Sequence, residues 1–172
     1  MAASKEQPDA IALLKADHRR VEGLFEQYEA AKADGRKKAL ADQICLELTV
    51  HTKIEEDVFY PACKGEIEDD LLDEAYVEHD GAKVMIAEIE RGKPGDDFYD
   101  AKVKVLSEMI KHHVKEEEKR AEGMFAQARD AGLDVDALGA RMAQEKKTLV
   151  AQYKANGLPK PPTPSFTGTR LA

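Results

Sequence analysis

Five histidines occur in the 172 residues, and four of them fall in a repeating order. His18 stands alone, and His51 is followed four residues later by Glu55. His79 again stands alone, and His113 is followed four residues later by Glu117. The interval from His18 to His51 is 33 residues and that from His79 to His113 is 34. Residues four apart lie on one face of an α-helix, about one turn from each other. Two such pairs facing two single histidines place four imidazoles and two carboxylates in one small volume. That is a donor set for two transition-metal ions. A neutral imidazole offers one nitrogen lone pair and suits iron, zinc, copper or nickel, while a carboxylate has two oxygens with which to join two ions. A single inward histidine is most often an ordinary core residue. Six polar groups on inward seams are different, because each would cost several kcal/mol if left unpaired. Coordination to metal removes that cost.

Glycine and proline divide the chain into helical segments, and no stretch alternates as a strand does. The first helix is predicted from about Asp9 to Ala33, with Ile11, Leu14, His18, Val21, Phe25 and Tyr28 on one seam. The second is predicted from about Arg36 to Tyr60, with Leu40, Ile44, Leu48, His51, Glu55 and Val58 inward and Pro61 and Gly65 closing it. The third runs from about Ile67 to Arg91, and Ala75 and Ala82 leave space on either side of His79. The fourth is predicted from near Asp96 to about Arg129, carrying Val103, Leu106, Ile110, His113, Glu117 and Met124. His112 also has a glutamate four residues on, Glu116, but its frame gathers Lys102, Lys119 and Gly123 beside Val105 and Met109. The inward frame is therefore that of His113, and His112 belongs to the outer face or stands behind the donors.

Short links make neighbouring helices antiparallel. The expectation is an all-α protein, with an up-down-up-down four-helix bundle over residues 9–130. Residues 131–172 are expected to add a helix from about Val135 to Tyr153, striped by Leu138, Met142, Leu149 and Tyr153 and packed outside the four. An extended tail, NGLPKPPTPSFTGTRLA, follows, because proline removes backbone donors and biases its neighbours away from helix. The hairpins His18–Glu55 and His79–Glu117 repeat one donor order, so an approximate two-fold axis should relate them.

The formal net charge of −8 argues against nucleic acid and against anionic membranes as partners. No apolar run approaches a membrane span and the N-terminus lacks a signal-peptide core, so the cytoplasm is the expected location. Cys45 and Cys63 are too few for a disulfide framework and read as buried free thiols. The oligomeric state is left open, and no catalytic side chain is assigned.

With these residues in view, the chain resembles the hemerythrin-like family, specifically the HHE cation-binding domain, over about Ile11 to Phe125. The stretches that carry the resemblance are LKADHRRVEGLF, HTKIEEDVFYP, EHDGAKVMI and HHVKEEE. The resemblance implies a four-helix bundle around a non-haem centre of two Fe ions with an oxo or hydroxo bridge. Carried over residue by residue, the metal ligands are His18, His51, Glu55, His79, His113 and Glu117. Two departures stand out. Oxygen-carrying members have a second histidine one turn from the first in the third helix, and here the flanking positions are Ala75 and Lys83. The fourth helix also ends as EEEKRAEGMFA, without the proline that closes the second.

Two six-coordinate ions offer about twelve positions, of which the six ligands and a bridging oxygen fill roughly ten. The open positions favour a centre that binds or reduces O2, H2O2 or NO, with peroxide consumption, over a dedicated oxygen carrier. A non-enzymatic iron, oxygen or redox sensor, or an iron-handling module, is the alternative. A zinc hydrolase is a third reading, and it lacks a substrate cleft in the sequence.

Overall fold

A computed structural model describes residues 8–161, and every regular element among them is helical. Helix α1 spans Ala10–Ala30, opened by Asp9, whose carboxylate accepts from the backbone N–H of Ala12 at 2.8 Å. Helix α2 spans Asp34–Ile54 and passes into a π-helical turn, Glu55–Phe59, and a short helix α3, Tyr60–Cys63. Helix α4 covers Asp69–Arg91 and α5 covers Tyr99–Glu117. A short α6, Met124–Asp130, leads to α7, Val135–Asn156.

The apolar core forms two clusters, and the seams show how the helices run between them. On α1, Leu14 belongs to the cluster that holds Phe59 and Met142, while Val21 belongs to the one that holds Phe25 and Leu106. On α4, Ala75 and Ala82 divide in the same order. On α2 the order reverses, with Leu48 in the second cluster and Ile54 in the first. Helix α5 likewise starts in the second cluster with Val103 and Leu106. This is the up-down-up-down bundle expected from the short links. The four inward histidines occupy the level between the two clusters: His18, His51 and His79 each lie about one turn from these boundary residues, and His113 lies about two turns after Leu106.

Two helix ends differ from expectation. Pro61 does not close the second helix; the chain continues past it to Cys63 and turns at Gly65, where φ is +79°. Proline inside a regular helix would clash with the carbonyl four residues back. The π turn relieves this by widening, with the Tyr60 N–H reaching the Glu55 carbonyl five residues back. The fourth helix, expected to reach Arg129, stops at Glu117. Beyond it stand two large apolar residues, Met124 and Phe125. Turning the chain buries both, at 2 % and 3 % exposure, for about 1.5–3 kcal/mol each. Gly123 permits the turn, because a Cβ there would stand 2.5 Å from the Lys119 carbonyl oxygen.

Helix α7 packs on α1 and α2 and adds Leu138, Met142, Leu149 and Tyr153 to the first cluster. The tail is described only as far as Pro161, and the rest of NGLPKPPTPSFTGTRLA lies outside the described residues. Both cysteines are buried and free. Among the described residues, no helix is long and apolar enough to cross a membrane.

Gly139 fixes how closely α7 approaches the start of α1. An added Cβ would lie 2.5 Å from the Pro8 carbonyl oxygen and 2.7 Å from the Ala10 nitrogen. Helix propensity alone favours Ala over Gly by about 1 kcal/mol. Here the backbone clash should dominate, so Gly139→Ala is expected to lose about 1–3 kcal/mol in urea unfolding. A gain in stability would show that α7 does not pack this tightly.

Candidate metal centre

All six side chains singled out in the sequence meet between the two apolar clusters, each no more than 5 % exposed. They come from every wall of the bundle: His18 from α1, His51 from α2, Glu55 from the π turn, His79 from α4, and His113 and Glu117 from α5. The Nε2 atoms of His18 and His51 stand 3.2 Å apart, as do those of His79 and His113. Glu55 Oε2 lies 3.3 Å from Nε2 of both His51 and His79. Glu117 spans the other edge, with Oε2 3.3 Å from His18 Nε2 and Oε1 3.4 Å from His113 Nε2. Donors on adjacent positions of one ion, each about 2.1 Å from it, sit roughly 3.0 Å apart. The spacing here is that of ligands around a shared ion, in two sets: His18 with His51, and His79 with His113.

The outward ring nitrogens show why the inward ones face each other. His18 Nδ1 meets Glu118 at 2.7 Å, His79 Nδ1 meets Glu56 at 3.1 Å, and His113 Nδ1 meets Glu78 at 2.7 Å. Asp17 stands 3.5 Å from His51 Nδ1, too long for a hydrogen bond. A carboxylate at Nδ1 holds the proton there and leaves the Nε2 lone pair pointing inward. Paired lone pairs at 3.2 Å repel unless something positive lies between them. Glu55 Oε1 and Glu117 Oε2 are buried and find no hydrogen-bond partner among the described residues. Buried groups in this condition are rare and costly. The donor set therefore fits metal cations.

The donors also perturb one another's protonation. Burial works against protonation of His18 and His113, yet Glu117, with help from Glu55 and the outer glutamates, raises both above the usual imidazole value. For His51 burial wins and pushes it down to about 4. Burial and the facing Glu117 charge raise Glu55 well above the carboxylate range. Glu117 is held below that range despite its burial, chiefly by His113 and His18.

Five side chains at the site were missed in the sequence. Four are Asp17, Glu56, Glu78 and Glu118, the acids against the Nδ1 atoms. A signal for them existed: each is adjacent in sequence to a donor, in the pairs Asp17-His18, Glu55-Glu56, Glu78-His79 and Glu117-Glu118. The fifth is Tyr60, 1 % exposed, whose hydroxyl donates to Glu117 Oε1 at 3.0 Å and lies 3.2 Å from His79 Nε2. It had no signal, because residues five apart on a regular helix point about 140° away from each other. His112 stands on the outer face, 59 % exposed, with its Nε2 3.3 Å from Glu78.

Comparison with known proteins gives the same fold. The family model for the hemerythrin HHE cation-binding domain matches residues 9–125. A crystal structure of a hemerythrin HHE cation-binding domain-containing protein from Mycobacterium kansasii superposes with a TM-score of 0.72 at 23 % identity, over 87 % of this chain and 94 % of that one. A DNA nickase from Nostoc sp. is 24 % identical over 116 residues, 67 % of this chain and 33 % of the nickase. This chain thus spans about a third of the length of that relative.

Two outcomes test the geometry. His113→Ala should lose metal or bind it far more weakly, whereas His112→Ala should keep a wild-type metal content by elemental analysis. The reverse result would shift the register of α5 by one residue. Removing metal exposes the unpaired polar layer, so chelation should lower the melting temperature by about 10 °C or more while the helical circular dichroism at low temperature persists. An unchanged melting curve after complete metal removal would contradict a buried site.

Proposed function

Because the chain belongs to the hemerythrin HHE cation-binding family, we propose that its six buried donors hold two iron ions and that this pair binds or reduces a small oxidant, O2, H2O2 or NO. The observation that carries the reading is the size of the space around the donors. One cavity of about 10 Å³ borders His18, His51, His79 and His113, and another of about 10 Å³ lies beside Ala75, His113 and Glu117. Each has room for about one water molecule. A substrate larger than a few atoms has no place to sit, which argues against hydrolysis of an extended substrate. A pair of iron ions supplies two one-electron changes, matching the reduction of a peroxide bond.

The side chains divide the work. The outer carboxylates hold the imidazoles in one tautomer and orientation. Glu55 and Glu117 each reach an imidazole in both sets, so each is placed to join the ions. Phe59, Met124 and Phe125 belong to the apolar cluster that closes one end of the layer and excludes water from it. The formal charge of −8 offers no basic face for a nucleic-acid substrate, and the nickase's activity is not part of the proposal.

A second reading draws on the burial of the polar layer. Metal loading would set bundle stability, and a partner would read that change as an iron or redox signal. Peroxide chemistry separates the two. Protein expressed in iron-rich medium should contain about two iron ions per chain, the count its paired donor sets call for. In stopped-flow mixing it should consume H2O2, and no O2 adduct should persist for hours. One zinc per chain without iron would sink the di-iron proposal. Full iron loading with no reaction toward H2O2, O2 or NO would leave the sensing role as the better account.

A further inference from the structure

The hydroxyl of Tyr60 lies among the donors of one set only. It is 3.2 Å from His79 Nε2, 3.0 Å from Glu117 Oε1 and 3.4 Å from Glu55 Oε2. These are the distances that separate the six donors from one another, so its oxygen occupies a further vertex of the same cage. A phenol has one proton to donate. Whichever acceptor takes it, the oxygen still stands within 3.4 Å of the other two polar atoms. A cation shared by all four atoms resolves that contact, as it does between the imidazoles.

The ring cannot swing away to relieve it. Tyr60 stacks on His79 with centroids 5.3 Å apart and planes inclined by 23°, and meets the edge of Tyr76 at 5.3 Å. The approximate two-fold symmetry of the site supplies a control. Phe125 stacks on His18 at 5.9 Å and 12°, the counterpart of Tyr60 on His79, but it carries no hydroxyl. One set of imidazoles therefore has an oxygen above it and the other has a hydrocarbon. The oxygen stands on the side of α4, the helix in which the second histidine of oxygen carriers is replaced by Ala75.

We propose that Tyr60 is a seventh donor, its phenolate oxygen binding the ion held by His79 and His113. The proposal rests on the reading of the six side chains as a di-iron centre. As the O–metal bond forms, the phenol O–H bond breaks and its proton is released to solvent, as happens with other acidic ligands. No electron moves in this step. The two ions become unlike: the His79 and His113 ion is the more fully ligated. The His18 and His51 ion, on the side of Phe125, has no such added donor.

The test compares wild type with Tyr60→Phe, which keeps the ring and removes only the oxygen. Both are loaded with ferric iron, checked for helical circular dichroism and analysed for iron. The wild type should show a broad visible phenolate-to-iron charge-transfer band with tyrosinate ring modes in its resonance Raman spectrum. Tyr60→Phe, at equal iron content, should lose both and release about one proton fewer per chain on loading. Identical spectra at equal iron content would overturn the proposal and leave Tyr60 as a protonated hydrogen-bond donor. A wild-type protein that takes up no iron would overturn the di-iron reading itself, and this proposal with it.

Discussion

Four imidazole lone pairs and two carboxylates converge in a layer that water does not reach, and the rest of the molecule is arranged around the consequences. The apolar clusters on either side fix the spacing of the helices, so the donors cannot drift apart to relieve repulsion. Charge is compensated in successive shells instead. Behind the imidazoles stand Asp17, Glu56, Glu78 and Glu118, and behind those stand Lys146, Lys83, His112 and Arg19 respectively. The outermost groups are the most exposed, and two of them, Lys146 and Lys83, help the neighbouring imidazoles hold Asp17 and Glu56 below the usual carboxylate range against their burial. The carboxylates bonded to His18, His79 and His113 in turn keep those imidazole protons on the outer nitrogens.

The two hairpins carry this scheme twice. Within each, the acid before the single histidine serves the histidine of the following helix: Asp17 serves His51, and Glu78 serves His113. Between hairpins, Glu56 serves His79 and Glu118 serves His18. The breaks in this symmetry are informative. Asp17 is one methylene shorter than Glu78, and its contact with the imidazole is the longest of the four at 3.5 Å. Its other oxygen is taken by Lys146 of α7. The C-terminal helix, beyond the region matched by the family, thus reaches the site through the Lys146–Asp17 ion pair. Phe125 and Tyr60 mark the other break, and both follow from irregular chain paths, the turn after α5 and the π turn after α2.

Those irregular paths have one cause. Each hairpin ends in a glutamate donor, after which the chain must leave the bundle without exposing the donors or their neighbours. The first exit opens the helix around Pro61 and the second breaks it at Glu118. The first brings Tyr60 inward with Glu55. The second folds Met124 and Phe125 over the layer.

The periodicity of the sequence, taken alone, already determined most of the frame. Leu14, His18 and Val21, or Leu72, Ala75 and His79, sit at helical spacing, and short links leave antiparallel packing as the simplest arrangement. The meeting of His18, His51, Glu55, His79, His113 and Glu117 was legible for the same reason, because the seam that buries leucines must bury whatever else lies on it. So was the choice of His113 over His112, since only one of two adjacent residues can face inward. What periodicity could not supply was anything that departs from it. Tyr60 lies five residues after Glu55, a separation that points outward on a regular helix and inward only across a π turn. The break after Glu117 lies in a charged stretch of good helix formers as far as Gly123, and the turn buries Met124 and Phe125. The outer carboxylates pair across helices, so adjacency to a donor hinted at them while only packing assigned each to its imidazole. The link from Lys146 to Asp17 spans 129 residues, and no local pattern encodes a contact of that range.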